Sequence, residues 1–394
     1  MVATAEQVVV RDALVPGRQV ADCLNRLESF LERYQPLMYR EEQRGHMQVY
    51  VEGLLGDLER KSIEPIATAH GLYRRPLQHY VGAGKWSDTA TRAEMRSHIV
   101  DEISAPDGVL VIDGSGVPKS GEDSVGVARQ WCGRLGKVEN CQVGIYLAYA
   151  SRGSRVLLDG QLYLPEDWAK DEVRRAKTYV PDDVEFKKNW QIADELLLLH
   201  GPKVPHAWIV GDDEYGRPTE FRDKLADRHE GYLLEVPSNT VVRKPSDWPG
   251  RAAKWRSVRK RKEGVPPDKW KRITIRDGEK GPIEVLAYST RVETKRDGAP
   301  PRQEVLLIVQ RVNCAKAQYF LAPRFAPRDT RLLVDVMSRR HDVEEVFASA
   351  KGEVGLDHYE VRSWVGWHHH LTLSMLSLWF LTLEQRRLGK KLPQ

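Results

Sequence analysis

Two apolar runs in this chain stop on an acid: GVLVID closes on Asp113, and AWIVGD closes on Asp212. A run without polar alternation has no face to offer water. It belongs in a strand covered on both sides, as in sheets whose faces carry helices. The surrounding segments supply the rest of such a sheet. CQVGIYLAYA alternates through Val143, Ile145, Leu147 and Tyr149, and RVLLDGQLYLP follows it. NWQIADELLLLH, from Asn189 to His200, suits a helix, Thr219 to Arg228 a second helix, and GYLLEVP a final strand. The expected order is strand, strand, strand, helix, strand, helix, strand.

That order is the one expected of an RNase H-like core, an α/β fold whose mixed sheet is flanked by helices and presents acids at its strand ends. Around it the chain divides by rhythm. Residues 1–105 read as a helical N-terminal domain, because Val20, Leu24, Leu27 and Leu31 recur at one-face spacing, as do Val51, Leu54, Leu55 and Leu58. Within it, IEPIATAHGLYRRPLQHYVGAGKW suits two short helices around Gly71, with Arg74, Arg75, His79 and Lys85 available to phosphates, or a plain packing unit with a basic surface. The core is expected over 106–238 and again over 329–394, where Val343, Val346, Phe347 and Ala350 restore the helical period. Between the two lies 239–328, read as an inserted β-rich subdomain with the runs RITIRDG, IEVLAYSTRVE and EVLLIVQRV.

The net charge of +5 is small for 394 residues, so the place where the cations gather matters more than their sum. From Val241 to Lys280 there are 14 Lys or Arg against 5 Asp or Glu, a net +9 in forty residues. Trp248, Trp255 and Trp270 are interleaved with Lys254, Arg256, Arg259, Lys260, Arg261 and Lys262. Cations hold phosphates and aromatic rings stack on unpaired bases, so the segment is expected to contact DNA; a solvated basic loop over core tryptophans is the plainer alternative. Cys23, Cys132, Cys141 and Cys314 lack the short paired spacing of a zinc site or disulfide framework, which suits a reducing, cytoplasmic setting. The first seventeen residues have no secretory pattern, and the apolar stretch Leu371 to Leu383 is too short to cross a bilayer, so no membrane role is expected.

Acids at strand ends are what hard divalent cations require, since Mg²⁺ is usually bound by one or a few carboxylates together with water and substrate phosphate. Two such ions activate an attacking oxygen and stabilise a leaving one in phosphoryl transfer. Asp113 is expected to emerge from its strand into an open turn at GSG. Asp212 is followed by Asp213 and Glu214, and is preferred as the acid nearest the strand. A third acid is expected on the helix after the insertion, where Arg340, Glu344 and Lys351, four and seven residues apart, share a face. Asp342, Glu345 and Glu353 compete with Glu344, and an Arg340–Glu344 ion pair is the ordinary alternative. His368, His369 and His370 point in different directions on a helix and suit packing or a DNA-facing role rather than one metal. GSGVPKSG lacks the Gly-Lys-Ser/Thr spacing of a nucleotide-binding loop, so no nucleotide cofactor is expected, although Lys119 stands near Asp113 as a DNA contact, with Gln142 and Tyr215 as neighbours of the site.

Three blocks carry a resemblance over nearly the whole chain: VLVIDGSGVPKSGEDSVGVARQWCGRLGKVENCQVGIYLAYAS, WIVGDDEYG, and VEEVFASAKGEVGLDHYEVRSWVGWHHHLTLSMLSLWFL. With them the chain resembles the DDE transposases of bacterial insertion sequences, in the branch with a β-rich insertion between the second Asp and the Glu. The resemblance implies that Asp113, Asp212 and Glu344 form the metal-binding catalytic triad, with Arg340 and Lys351 as basic companions on DNA. A Tyr expected three residues before that Arg is Met337 here. It also implies two Mg²⁺ or Mn²⁺ ions, cleavage of double-stranded DNA at terminal inverted repeats, attack of the freed 3′-hydroxyl on target DNA, and a homodimer on DNA. A DNA-binding regulator without catalysis, and a nuclease that cuts without joining, are the rival functions.

Overall fold

The structure, a computed structural model, describes residues 22–245, 254–278, 281–296, 298–312, 314 and 316–389. Val20, Trp248 and the N-terminal seventeen residues therefore lie outside the described residues. Five helices come first: α1 (Cys23–Glu32), α2 (Glu41–Leu55), α3 (Ile63–Ala69), α4 (Arg74–Ala83) and α5 (Asp88–Ile103). The buried face of α1 is Leu27, Phe30 and Leu31, whereas Leu24 is exposed, so the expected stripe is displaced by part of a turn. The pair α3 and α4 forms as expected around Gly71, whose φ of +66° lies in the left-handed region that glycine enters without a Cβ clash.

The next stretch is β1 (Val109–Pro118), β2 (Ala128–Cys132), β3 (Lys137–Ser151), β4 (Ser154–Leu162), the short helices α6 (Glu166–Ala169) and α7 (Glu172–Thr178), and α8 (Asn189–His200). It continues through β5 (Trp208–Gly211), α9 (Asp213–Gly216), α10 (Thr219–Asp227) and β6 (Tyr232–Glu235). The strands and helices read from sequence are present, joined by β2, which sequence reading did not anticipate. Its residues alternate between partly exposed and exposed positions, and only Cys132 is buried, so it carries little apolar signal. Asp113 does not leave its strand at a turn. Pairing of β1 with β3 runs on from Asp113↔Tyr146 to Pro118↔Cys141, which keeps GSGVP extended.

The chain then forms β7 (Val241–Arg243), β8 (Arg256–Ser257), α11 (Val258–Glu263), β9 (Lys271–Gly278), β10 (Gly281–Arg296), β11 (Ala299–Arg311) and β12 (Ala317–Pro323). It ends in α12 (Thr330–Ser338), α13 (Arg340–Gly352) and α14 (Trp364–Arg387). Among the described residues all the strands belong to one mixed sheet, ordered β2-β3-β1-β5-β6-β12-β11-β10-β7-β8, with β4 on β3 and β9 on β10. The β-rich segment joins the earlier strands through β12, which pairs antiparallel with β6 at Phe320↔Glu235 and Leu321↔Leu234. A buried network ties the same seam: Glu304 receives hydrogen bonds from Arg222 Nε at 3.2 Å, Tyr232 at 2.7 Å and Thr294 at 2.5 Å.

The helix α14 is buried on nearly every side and packs on β4, α2, α4 and α5. An all-round apolar helix is stable only inside a core, and its hydroxyls are satisfied locally: Thr372, Ser377 and Thr382 each donate to the carbonyl four residues back. His368, His369 and His370 are buried packing residues, as expected. His369 stacks on Trp86 at 3.8 Å, and His370 Nδ1 lies 2.9 Å from the Tyr50 hydroxyl. Among the described residues no helix is long and apolar enough to cross a membrane.

Candidate active site

Three parallel neighbours, β1, β5 and β6, set the frame. Ile112 pairs with Gly211, and Gly211 with Leu234, so the next residue on each strand falls in one row: Asp113, Asp212, Glu235. The β5 strand stops at Gly211 while β1 runs on, which places Asp113 beside the point where its neighbour turns away. Asp212 then caps α9, its Oδ1 accepting from the Glu214 amide at 3.0 Å, while its carbonyl accepts from Gly216 at 3.0 Å.

The two aspartates are brought together. Burial, and then the negative charge of Asp212, push the Asp113 carboxyl up to about 7; Arg340 and the Gly114 amide, 2.8 Å from Oδ1, oppose that rise. Burial also raises Asp212, against the pull of Arg340. The other two consecutive acids are engaged elsewhere: Asp213 pairs with Arg217 at 3.0 Å, and Glu214 accepts from Asn189. The hydroxyl of Tyr215 is buried without a hydrogen-bond partner, and a Cβ on Gly114 would lie 3.8 Å from it, so an unsatisfied polar atom sits against β1 next to Asp113.

Glu344 stands further off. It is exposed on α13, bonded to His341 Nδ1 at 3.1 Å, and its charge is the smallest of the named influences on Asp113. Among the described residues no group of three acidic, His or Cys side chains is gathered closely enough to hold a metal ion. The competing acids on the helix have other work. Asp342 pairs with Arg155 of β4 at 2.8 Å, Glu345 pairs with the same guanidinium, and Glu353 sits exposed at the end of α13. Arg340 makes no pair with Glu344; its Nη1 donates to Glu235 Oε2 at 2.5 Å, and Gln318 Nε2 donates to Glu235 Oε1 at 3.2 Å. Lys351 donates to Ser115 Oγ at 2.8 Å, and burial lowers its pKa.

The donor chemistry suits a hard divalent cation. Two half-buried carboxylates share a site in which one guanidinium opposes them, and Mg²⁺ ordinarily takes one or two carboxylates from protein and the rest from water and phosphate. Glu235 was missed by sequence reading, although GYLLE carries the same signature of an apolar run closing on an acid.

The other candidate residues lie on separate surfaces. Lys119 is turned inward: its Nζ donates to the Tyr359 carbonyl at 3.0 Å and lies 3.5 Å from that ring's centre, and burial brings its pKa down to about 8. Gln142 donates to Val125 at 2.6 Å and accepts from the Tyr359 hydroxyl at 3.0 Å. Arg74 pairs with Glu64 at 3.0 Å, and Arg75 is exposed beside Tyr73, which is 91% accessible. Lys254, Arg256, Arg259 and Lys260 are exposed, and Lys262 is half-buried. Arg261 is half-buried too, with Nε and Nη2 lacking partners among the described residues. The Trp255 ring is already covered by its own chain's cations, Arg243 at 4.7 Å and Lys295 at 5.4 Å, and Trp270 packs against a small apolar cluster around Val258.

The chain is 25% identical over 193 residues to a protein from Microchaete diplosiphon described as a probable transposase for insertion sequence element IS701. It spans about half the length of that curated relative, 48%, and the aligned part is 48% of this chain. Residues 20–297, which include the N-terminal helices, Asp113 and Asp212 but not Glu344, match the DDE superfamily endonuclease family, and over that length the chain belongs to it.

Proposed function

We propose that this protein is a transposase that cleaves DNA at the ends of a mobile element and joins the freed ends to target DNA, using an RNase H-like core. The observation that carries the reading is the pair Asp113 and Asp212, each one residue beyond the last register pair of the adjacent parallel strands β1 and β5, with the charge of Asp212 bearing on Asp113. Asp113 and Asp212 would hold the divalent cations, two Mg²⁺ or Mn²⁺ per site, and Glu344 is the third carboxylate, released for that role from His341. When bound, such ions supply Lewis-acid activation of the scissile phosphate and of the attacking oxygen. The residues of the chain do the rest. Arg340 holds positive charge next to the acid pair, where a non-bridging phosphate oxygen would otherwise meet only carboxylates. Exposed cations on β8 and α11, namely Arg256, Arg259 and Lys260, hold the DNA backbone, and Arg74 and Arg75 open the second helix of a helix-turn-helix-like pair against the duplex. Two copies of the chain, each holding one element end, assemble on DNA.

The test is end cleavage and joining by purified protein on linear DNA carrying the sequences that flank its gene, with Mg²⁺ or EDTA. Cleavage and joining that need Mg²⁺ and disappear in Asp113→Ala are expected. Cleavage without joining would make the protein a nuclease, and tight binding by both proteins with no cleavage would make it a DNA-binding regulator.

A further inference from the structure

Glu235 is the third acid of the row that contains Asp113 and Asp212, yet it is not free to join them. Both of its carboxylate oxygens are committed: Oε1 accepts from Gln318 of β12 and Oε2 accepts from Arg340 of α13. The Arg340–Glu235 pair is mostly screened from water, with side chains 28% and 19% exposed. Among the described residues only Nη1 of the arginine is used, so Nε, Nη2 and one Nη1 hydrogen keep their donor capacity toward them. The same guanidinium is the cation whose charge bears on both Asp113 and Asp212. A guanidinium gripped at one corner and loaded with unused donors at the other is built to receive a second anion, because its planar fork suits phosphate.

We propose that Glu235 is a positioning residue: anchored by Gln318, it holds Arg340 beside the Asp113–Asp212 pair so that the free edge of the guanidinium meets a phosphate of the DNA strand to be cut. The relay runs from β12 through β6 to α13, so the strand that brings the β-rich segment onto the sheet also fixes the cation of the active site. The opposite role, Glu235 as a competitor that keeps Arg340 away from DNA, predicts the opposite sign in the measurement below.

This inference rests on the DNA-cleaving reading of the site, and the experiment separates the two. Full-length wild type, Glu235→Gln, Arg340→Gln and the double variant are compared on linear duplex carrying the sequences that flank the gene. Binding is measured in EDTA over a salt series, and cleavage in Mg²⁺. Arg340→Gln is expected to lower the slope of log affinity against log salt by about one, as one phosphate loses its cation. Glu235→Gln should lower it in the same direction, slow cleavage about tenfold or more, and cost nothing further in the Arg340→Gln background. Gln318→Met, which frees one oxygen of Glu235 without touching Arg340, should give a smaller loss of the same kind and stands in if Glu235→Gln fails to fold. Unchanged or tighter binding by Glu235→Gln, or losses that multiply in the double variant, would overturn the proposal. If the wild type binds but does not cut, the DNA-cleaving reading fails while the salt slopes still judge Glu235.

Discussion

Asp113 works against the stability of the fold that carries it. A carboxyl raised from 3.8 to about 7 contributes stability that is complete below its unfolded value and is lost as pH rises through its folded value, so the folded state should weaken between about pH 4 and pH 7 on its account. In EDTA at pH 8, Asp113→Asn is expected to be more stable than wild type by about 1–3 kcal/mol, an advantage gone at pH 4, as thermal melts at the two pH values would register. Millimolar Mg²⁺ or Mn²⁺ should raise the melting temperature of wild type and leave that of Asp113→Asn unmoved. A variant no more stable at pH 8 would mean that neither burial nor the charge of Asp212 raises the Asp113 carboxyl. The two aspartates were legible in the sequence because each closes an apolar run, a local signal. The partner of Arg340 was not, because Glu235 lies 105 residues away and only strand pairing brings it to α13. Glu344 was legible as one acid among three on its helix. What distinguishes it from Asp342 and Glu345 is Arg155 on β4, a contact across the fold.

Gly216 shows how closely elements press together behind the acids. A Cβ there would lie 1.7 Å from the carbonyl oxygen of Glu235, so α9 sits on the end of β6 with no room for a side chain. Gly216→Ala should force α9 off β6, destabilising the protein by about 2–4 kcal/mol in denaturant melts and displacing both the Asp212 turn and Glu235. A melt within error of wild type would show that α9 can move without cost. Elements with a strong period of their own were readable, and α8 coincides with the segment proposed for it. Those whose existence depends on a neighbour were not: β2, β7 and β8 are short, and β1 owes its second half to the pairing of β3 rather than to any apolar residue in GSG.

At the level of the molecule, the change of composition at residue 239 is real, yet it marks no break in hydrogen bonding, since β12 extends the sheet from β6. Composition reports where the cations are; it does not report which strands pair. Those cations are expected to act on affinity and not on folding. Replacing Arg256, Arg259 and Lys260 together by Gln should weaken binding to any duplex and reduce the salt slope by up to about 0.9 for each phosphate no longer neutralised, with thermal stability unchanged within about 0.5 kcal/mol. A variant with wild-type salt dependence would remove this surface from the DNA path. The buried helix α14 has a consequence in time. Its main partners, β4 and the helices α2, α4 and α5, precede it in the chain. A ribosome therefore finishes both aspartates, and every strand among the described residues, before it makes this helix. Until residues 364–387 have left the exit tunnel, the apolar faces that enclose α14 lack their common partner. The strands that carry the paired aspartates are thus made before the helix on which β4, α2, α4 and α5 close.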